Sequence, residues 1–86
     1  MPEISRFYVI IIAMFYEDHN PPHFHARYSG DQAVIKIDDF TVLEGFLPPR
    51  ALGLVVEWAA GHQAELIENW ESTMNNQPLR KIAPLD

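Results

Sequence analysis

The sequence predicts an α+β fold, in which a three- or four-stranded antiparallel sheet is followed by a long helical segment, which could be bent, and a short C-terminal tail. Three observations support this. β-Branched and aromatic residues fill the first third of the chain. Apolar residues after Pro49 recur with the helical period instead. Because the strands come before the helices rather than alternating with them, we expect the helical segment to pack on one face of the sheet.

The length and composition limit how this fold is stabilised. The chain has 86 residues, of which 48% are hydrophobic, and it contains no cysteine. We therefore expect a single domain over residues 1–86, without a disulfide and without a thiolate metal site. Its stability has to come from packing, from a partner protein or from formation of a homo-oligomer.

The first strand is predicted from about Arg6 to Tyr16. This apolar run is too short to cross a bilayer as a helix, which needs roughly 20 residues. No cationic segment or small-residue cleavage site accompanies it, so it does not resemble a signal peptide. We expect a cytoplasmic protein with no membrane partner.

A hairpin is predicted next, with strands at about 23–28 and 33–37 and a turn at Ser29-Gly30. The prolines of the preceding loop, Pro21 and Pro22, separate it from the first strand. A two-residue turn predicts three pairs on the polar face, which are His23 with Lys36, His25 with Val34, and Arg27 with Gln32. It predicts two pairs on the apolar face, which are Phe24 with Ile35 and Ala26 with Ala33. A three-residue loop would reverse the faces, so the assignment depends on loop parity.

The remaining elements follow from turn and helix signals. Asp38-Asp39 predicts a turn, and a short fourth strand is expected at 41–44. Pro48-Pro49 is typical of a helix start. The helical stripe comprises Leu52, Val55, Val56, Ala59, Leu66, Ile67 and Trp70, with a gap at Gln63. Trp58 and Trp70 are expected to be core or groove residues. Two glycines at 53 and 61 weaken the helix, which leaves one bent helix or two helices open.

Three of the four histidines lie within seven residues, at His19, His23 and His25, directly after Asp18. Residues two apart on a strand project to the same side, roughly 6.5–7 Å apart. His23 and His25 could therefore converge on one metal ion or anion. His19 could supply a third metal ligand, with Asp18 or water completing the coordination, and imidazole ligands favour zinc or nickel.

Spacing alone leaves other interpretations open. The candidate catalytic residues are His19, His23, His25 and Arg27, with Asp18, Asn20 and Lys36 as candidate binding residues. A histidine pair could act as general acid and base while Arg27 and Lys36 hold a phosphate, which would allow metal-independent RNA cleavage. The same residues could recognise a protein partner, or simply form a solvated strand face.

The charge balance restricts the nucleic-acid interpretation. The chain has 12 acidic and 6 basic residues and a net charge of −6. Sequence-independent binding to phosphates needs clustered lysine and arginine. Direct binding of duplex DNA is therefore not expected, although a local basic site remains compatible with the sequence.

Several motifs resemble a small bacterial family of unknown function, numbered 4160. The most specific is the segment 18–26, Asp-His-Asn-Pro-Pro-His-Phe-His-Ala, and the likeness extends over nearly the whole chain. Such proteins are similar to one half of two-protein toxin–antitoxin modules. The resemblance implies a toxin-like component, with a small antitoxin-like partner encoded nearby and the histidine segment as its site. It assigns no catalytic activity, so a non-catalytic metal-binding or protein-interaction module is the alternative.

Overall fold

The computed structural model describes residues 2–86, which form an α+β fold with a five-stranded antiparallel sheet. The strands lie side by side in chain order. They are β1 (Glu3–Phe7), β2 (Ile10–Ala13), β3 (His23–Tyr28), β4 (Asp31–Lys36) and β5 (Val42–Gly45). The prediction of three or four strands is therefore one strand short, because the segment predicted as a single first strand forms parts of two strands.

The chain reverses between β1 and β2 at Tyr8 and Val9. Both residues have positive φ angles, 49° and 55°, as in the two-residue turns that suit the twist of a hairpin. Such turns usually contain glycine or asparagine. Here a tyrosine and a valine occupy the turn, so the apolar run continues through it and hides the reversal.

The β3–β4 hairpin has the predicted register. His23 pairs with Lys36, His25 with Val34 and Arg27 with Gln32. The turn residue Ser29 has a positive φ of 56°. The two-residue turn therefore fixes the loop parity, and the polar and apolar faces are those predicted.

The short strand expected at 41–44 is present as β5, which pairs with β4. Asp39 stabilises the turn that precedes β5, because the Asp39 Oδ1 atom accepts a hydrogen bond from the Thr41 N–H at 3.0 Å. Hydrogen bonds from the side chain and then the backbone of Thr41 hold the pKa of the Asp39 carboxyl below its ordinary value. The register of β5 shifts between Val34 and Ile35, where a bulge interrupts the ladder.

Two helices follow the sheet, α1 (Pro49–Gly61) and α2 (Gln63–Met74). They are separated at His62, whose φ of −132° is not helical, so the two-helix alternative is the correct one. Pro49 occupies the first turn of α1, as predicted. Among residues 2–86, no helix is long and apolar enough to cross a membrane.

The core lies between one sheet face and the helices. Trp58 of α1 is 1% exposed and contacts the rings of Phe7 and Phe24, with centroid distances of 5.4 and 6.0 Å. The C-terminal tail completes this core: the Ile82 N–H donates to the Ile4 carbonyl at 2.8 Å. The opposite sheet face carries His25, Arg27 and Gln32, which are half-buried or exposed.

Candidate metal centre

The histidine segment begins β3, at the end of the strand that adjoins the Pro-rich loop. His23 and His25 are two residues apart and project to the same side of the sheet, as the strand period predicts. The loop that precedes them contains a cis peptide bond between Asn20 and Pro21. This loop folds back so that the Asp18 carboxylate contacts both histidine rings.

Three side chains converge here, namely those of Asp18, His23 and His25. The Oδ2 atom of Asp18 is 2.9 Å from the Nε2 atom of His25 and 3.1 Å from the Nε2 atom of His23. The three donor atoms all lie within 4.8 Å of one another. This His/Asp cluster could hold a metal ion.

The hydrogen bonds of His23 determine where its proton lies. Its Nδ1 atom is 2.7 Å from the carbonyl oxygen of Pro21. A carbonyl can only accept, so Nδ1 carries the hydrogen and donates it. In the neutral ring Nε2 is then unprotonated, and its lone pair faces the Asp18 carboxylate. Two acceptors at this distance require a proton or a cation between them.

Aromatic side chains hold both imidazole rings. The ring of Trp70 on α2 lies 5.0 Å from the ring of His23, which is only 8% exposed. The rings of His25 and Phe15 are perpendicular, with a centroid distance of 4.6 Å. Because these contacts restrict ring rotation, the Nε2 atoms keep their direction toward Asp18.

His19, the predicted third metal ligand, lies close by but outside the cluster. Together with Asn20 it lines a cleft of about 250 Å³ beside the two other histidines. Asp18 occupies the third position instead. Adjacent loop residues point in different directions, and the loop conformation that selects Asp18 cannot be read from spacing.

Arg27 and Lys36 are not brought to this cleft. Arg27 lies further along β3, exposed and opposite Gln32. Lys36 is opposite His23, but its Nζ atom lies 3.7 Å from Asp38 Oδ1. Neither lines the cleft beside the cluster, so the cationic pair expected to hold a phosphate is not assembled there.

Glu44 is a site residue that sequence reasoning did not identify. It lines both the cleft and a neighbouring cavity of about 400 Å³, and His25 and Val34 also line both. Its position follows from the pairing of β4 with β5, which places it beside Val34. The only sequence signal was the short predicted strand at 41–44, since its register was not predicted.

Comparison with known families settles the resemblance. Residues 10–71, well over half of the chain, match the family described as Domain of unknown function (DUF4160). The chain belongs to this family. The match includes Asp18, His23 and His25, whereas β1 and the C-terminal tail lie outside it. No curated protein and no solved structure matches this DUF4160 member.

Proposed function

We propose that this DUF4160 protein binds a divalent metal ion through Asp18, His23 and His25. The observation that carries the proposal is the position of the His23 ring, whose Nε2 lies 3.1 Å from the Asp18 carboxylate while Nδ1 lies 2.7 Å from the Pro21 carbonyl oxygen, to which it donates. Metal-binding histidines almost always donate their other ring N–H to a carbonyl or carboxylate in this way. His23 therefore has the hydrogen bonding expected of a metal ligand.

The spacing of the donor atoms also suits a metal. In a tetrahedral zinc site with bonds of about 2.0–2.1 Å, neighbouring ligand atoms are about 3.3 Å apart. The Asp18 oxygen lies 2.9 and 3.1 Å from the two ring nitrogens. Widening these two separations by a few tenths of an ångström would bring them to the tetrahedral value, and the three donor atoms all lie within 4.8 Å of one another.

Zinc is the metal that we propose, with nickel as the second choice. Two imidazoles and one carboxylate leave a fourth position open, as in zinc sites that perform chemistry. Iron(II) also accepts two histidines and a carboxylate. The local charge favours a cation over an anion, because Asp18 and Glu44 are acidic and the lining of the cleft contains no lysine or arginine.

Metal titration of the untagged protein tests the proposal. We expect one zinc ion per chain by isothermal titration calorimetry, and stabilisation of about 2.7 kcal/mol at a free zinc concentration of 100 times Kd. Asp18→Asn and His25→Ala should each weaken binding at least tenfold. His19→Ala is the matched control, because His19 lines the same cleft without joining the cluster. Nickel and iron(II) should be titrated in parallel.

The fluorescence of Trp70 gives a second readout, because its ring contacts His23. A paramagnetic ion such as nickel should quench it in the wild type and His19→Ala but not in Asp18→Asn. Wild-type protein that binds no metal would show that a proton, rather than a cation, links His23 to Asp18. Equal affinities for wild type and Asp18→Asn would also contradict the proposal.

For the biological role, we propose a toxin-like component of a bacterial toxin–antitoxin module, with this cluster as its site. The role is the one that the resemblance of the histidine motif implies, and the position of the cluster at a surface cleft is compatible with it. Induced expression should slow growth for wild type and His19→Ala, but less for Asp18→Asn, and the neighbouring gene should restore growth. Equal growth of all strains at equal protein levels would contradict the proposal.

A further inference from the structure

We propose that Glu44 is a general base beside the metal centre, and that the site hydrolyses neutral esters or amides. This inference rests on the proposed metal binding. It assigns an activity, a catalytic residue and a substrate class to the same site. The argument uses the position of Glu44, its freedom to accept a proton, and the lining of the adjoining cavity.

Register places Glu44 and His25 on the same sheet face. His25 pairs with Val34, and Val34 pairs with Glu44. Neighbouring strands are about 4.8 Å apart, so the two backbones are separated by roughly 10 Å. The glutamate and histidine side chains can extend toward each other over the shorter Val34. His25 and Glu44 line the same cleft and the same neighbouring cavity.

The bulge in the β4–β5 ladder lies next to Glu44. The β4–β5 register shifts next to Val34, and bulges often re-aim a side chain beside an active site. Gly45 follows with a φ of +80°, and a Cβ atom there would lie 2.2 Å from the Gln32 carbonyl oxygen. Close backbone packing therefore holds the strand on the C-terminal side of Glu44.

The Glu44 carboxylate is exposed, and among residues 2–86 it has no side-chain hydrogen bond or ion pair. Asp18, in contrast, is already bonded to both histidines. Of the two acids that line the cleft, Glu44 is thus the one available to accept a proton. This division of roles, with Asp18 as a ligand and Glu44 as a base, resembles metalloprotease sites, in which a glutamate that is not a ligand serves as the base.

The reaction needs only water and the metal. Glu44 would take a proton from a water molecule beside the cluster, and the oxygen of that water would form a bond to the substrate carbonyl carbon. A metal held by Asp18, His23 and His25 would act as a Lewis acid toward the carbonyl oxygen, where negative charge develops. The bond from carbon to the leaving oxygen or nitrogen then breaks, and Glu44 returns the proton to the leaving group. No electron is transferred.

The lining of the larger cavity suggests the substrate class. Phe15, Ala33 and Val34 supply apolar surface, and Gln32 supplies an amide that can donate and accept hydrogen bonds. The cavity has a carboxylate, Glu44, and neither lysine nor arginine in its lining. A phosphodiester would meet negative charge without a compensating cation. A neutral carbonyl compound with an aromatic or apolar group fits better.

Hydrolysis of 4-nitrophenyl acetate by the zinc-loaded protein tests this inference. The wild type should exceed the same concentration of free zinc at least tenfold. Glu44→Gln should lower the rate at least tenfold while the zinc affinity and the melting temperature stay unchanged. Glu57→Gln, which alters an exposed glutamate on α1, is the matched control and should keep the wild-type rate.

The outcomes separate the two proposals. A wild type that binds zinc but hydrolyses the ester no faster than free zinc, or no faster than Glu44→Gln, would overturn the hydrolytic role and leave metal binding intact. A greater enhancement for bis(4-nitrophenyl) phosphate than for the acetate would overturn the carbonyl substrate class. Absence of zinc binding in the calorimetric titration would overturn metal binding itself.

Discussion

At the scale of single residues, hydrogen-bond donors and acceptors determine what the histidine segment can do. His23 donates to a backbone carbonyl through one ring nitrogen and faces a carboxylate with the other. His25 meets the same carboxylate oxygen. Because Asp18 Oδ2 contacts the Nε2 atoms of both rings, we expect substitution of Asp18 to weaken metal binding more than substitution of His19, which lies outside the cluster.

Two glycines give opposite predictions at the same scale. Gly45→Ala should lower the free energy of unfolding by at least about 2 kcal/mol, because an L side chain is disfavoured at positive φ and the Cβ would collide with the Gln32 carbonyl. Gly53→Ala should raise it by about 0.5–1 kcal/mol, since Gly53 is inside α1 and nothing lies near its Cβ position. Urea unfolding at 25 °C measures both, and similar effects of the two changes would contradict this assignment.

At the scale of elements, the hairpin turns decide the sheet. The β3–β4 turn carries a recognisable Ser-Gly pair, and the register follows from its two-residue length. The β1–β2 turn uses Tyr8 and Val9 at positive φ, although neither residue favours that conformation. Both side chains are exposed, at 55% and 77%. Local preference and tertiary structure therefore disagree at this turn.

Replacing this turn should stabilise the protein. Changing Tyr8-Val9 to Asn-Gly should raise the free energy of unfolding by about 1 kcal/mol, because asparagine and glycine adopt positive φ readily. The gain is reduced by loss of the edge contact between Tyr8 and Phe7. Urea unfolding of the double variant and of Val9→Gly alone measures the gain. A destabilised double variant would show that the turn side chains contribute more than the backbone strain costs.

At the scale of the whole molecule, the tail after α2 joins parts that are distant in sequence. Ile82 is 4% exposed and its N–H bonds to Ile4 in β1. The indole N–H of Trp58 donates to the Ala83 carbonyl at 2.8 Å. The Asn69 side chain donates to the Arg80 carbonyl and accepts from its N–H, both at 2.9 Å. The tail thereby closes the core between the first strand and both helices.

We therefore expect the tail to be required for stability. Ile82→Ala should cost about 2–4 kcal/mol through the lost burial and the cavity left behind. Lys81→Ala, at the exposed neighbouring position, should change stability by less than about 0.5 kcal/mol. Thermal unfolding followed by tryptophan fluorescence compares the two variants. Equal melting temperatures would mean that the tail adds little to the core.

The sequence by itself determined the α+β class, the register of the β3–β4 hairpin and the shared face of His23 and His25. These follow from strand and helix periods and from the length of one turn, which are properties of neighbouring residues. Only the tertiary structure decided that the third member of the cluster is Asp18 rather than His19, and that Glu44 stands beside His25. The first depends on how the Pro-rich loop folds back, and the second on the pairing of β5 across a bulge. Both join segments whose contact no local pattern encodes.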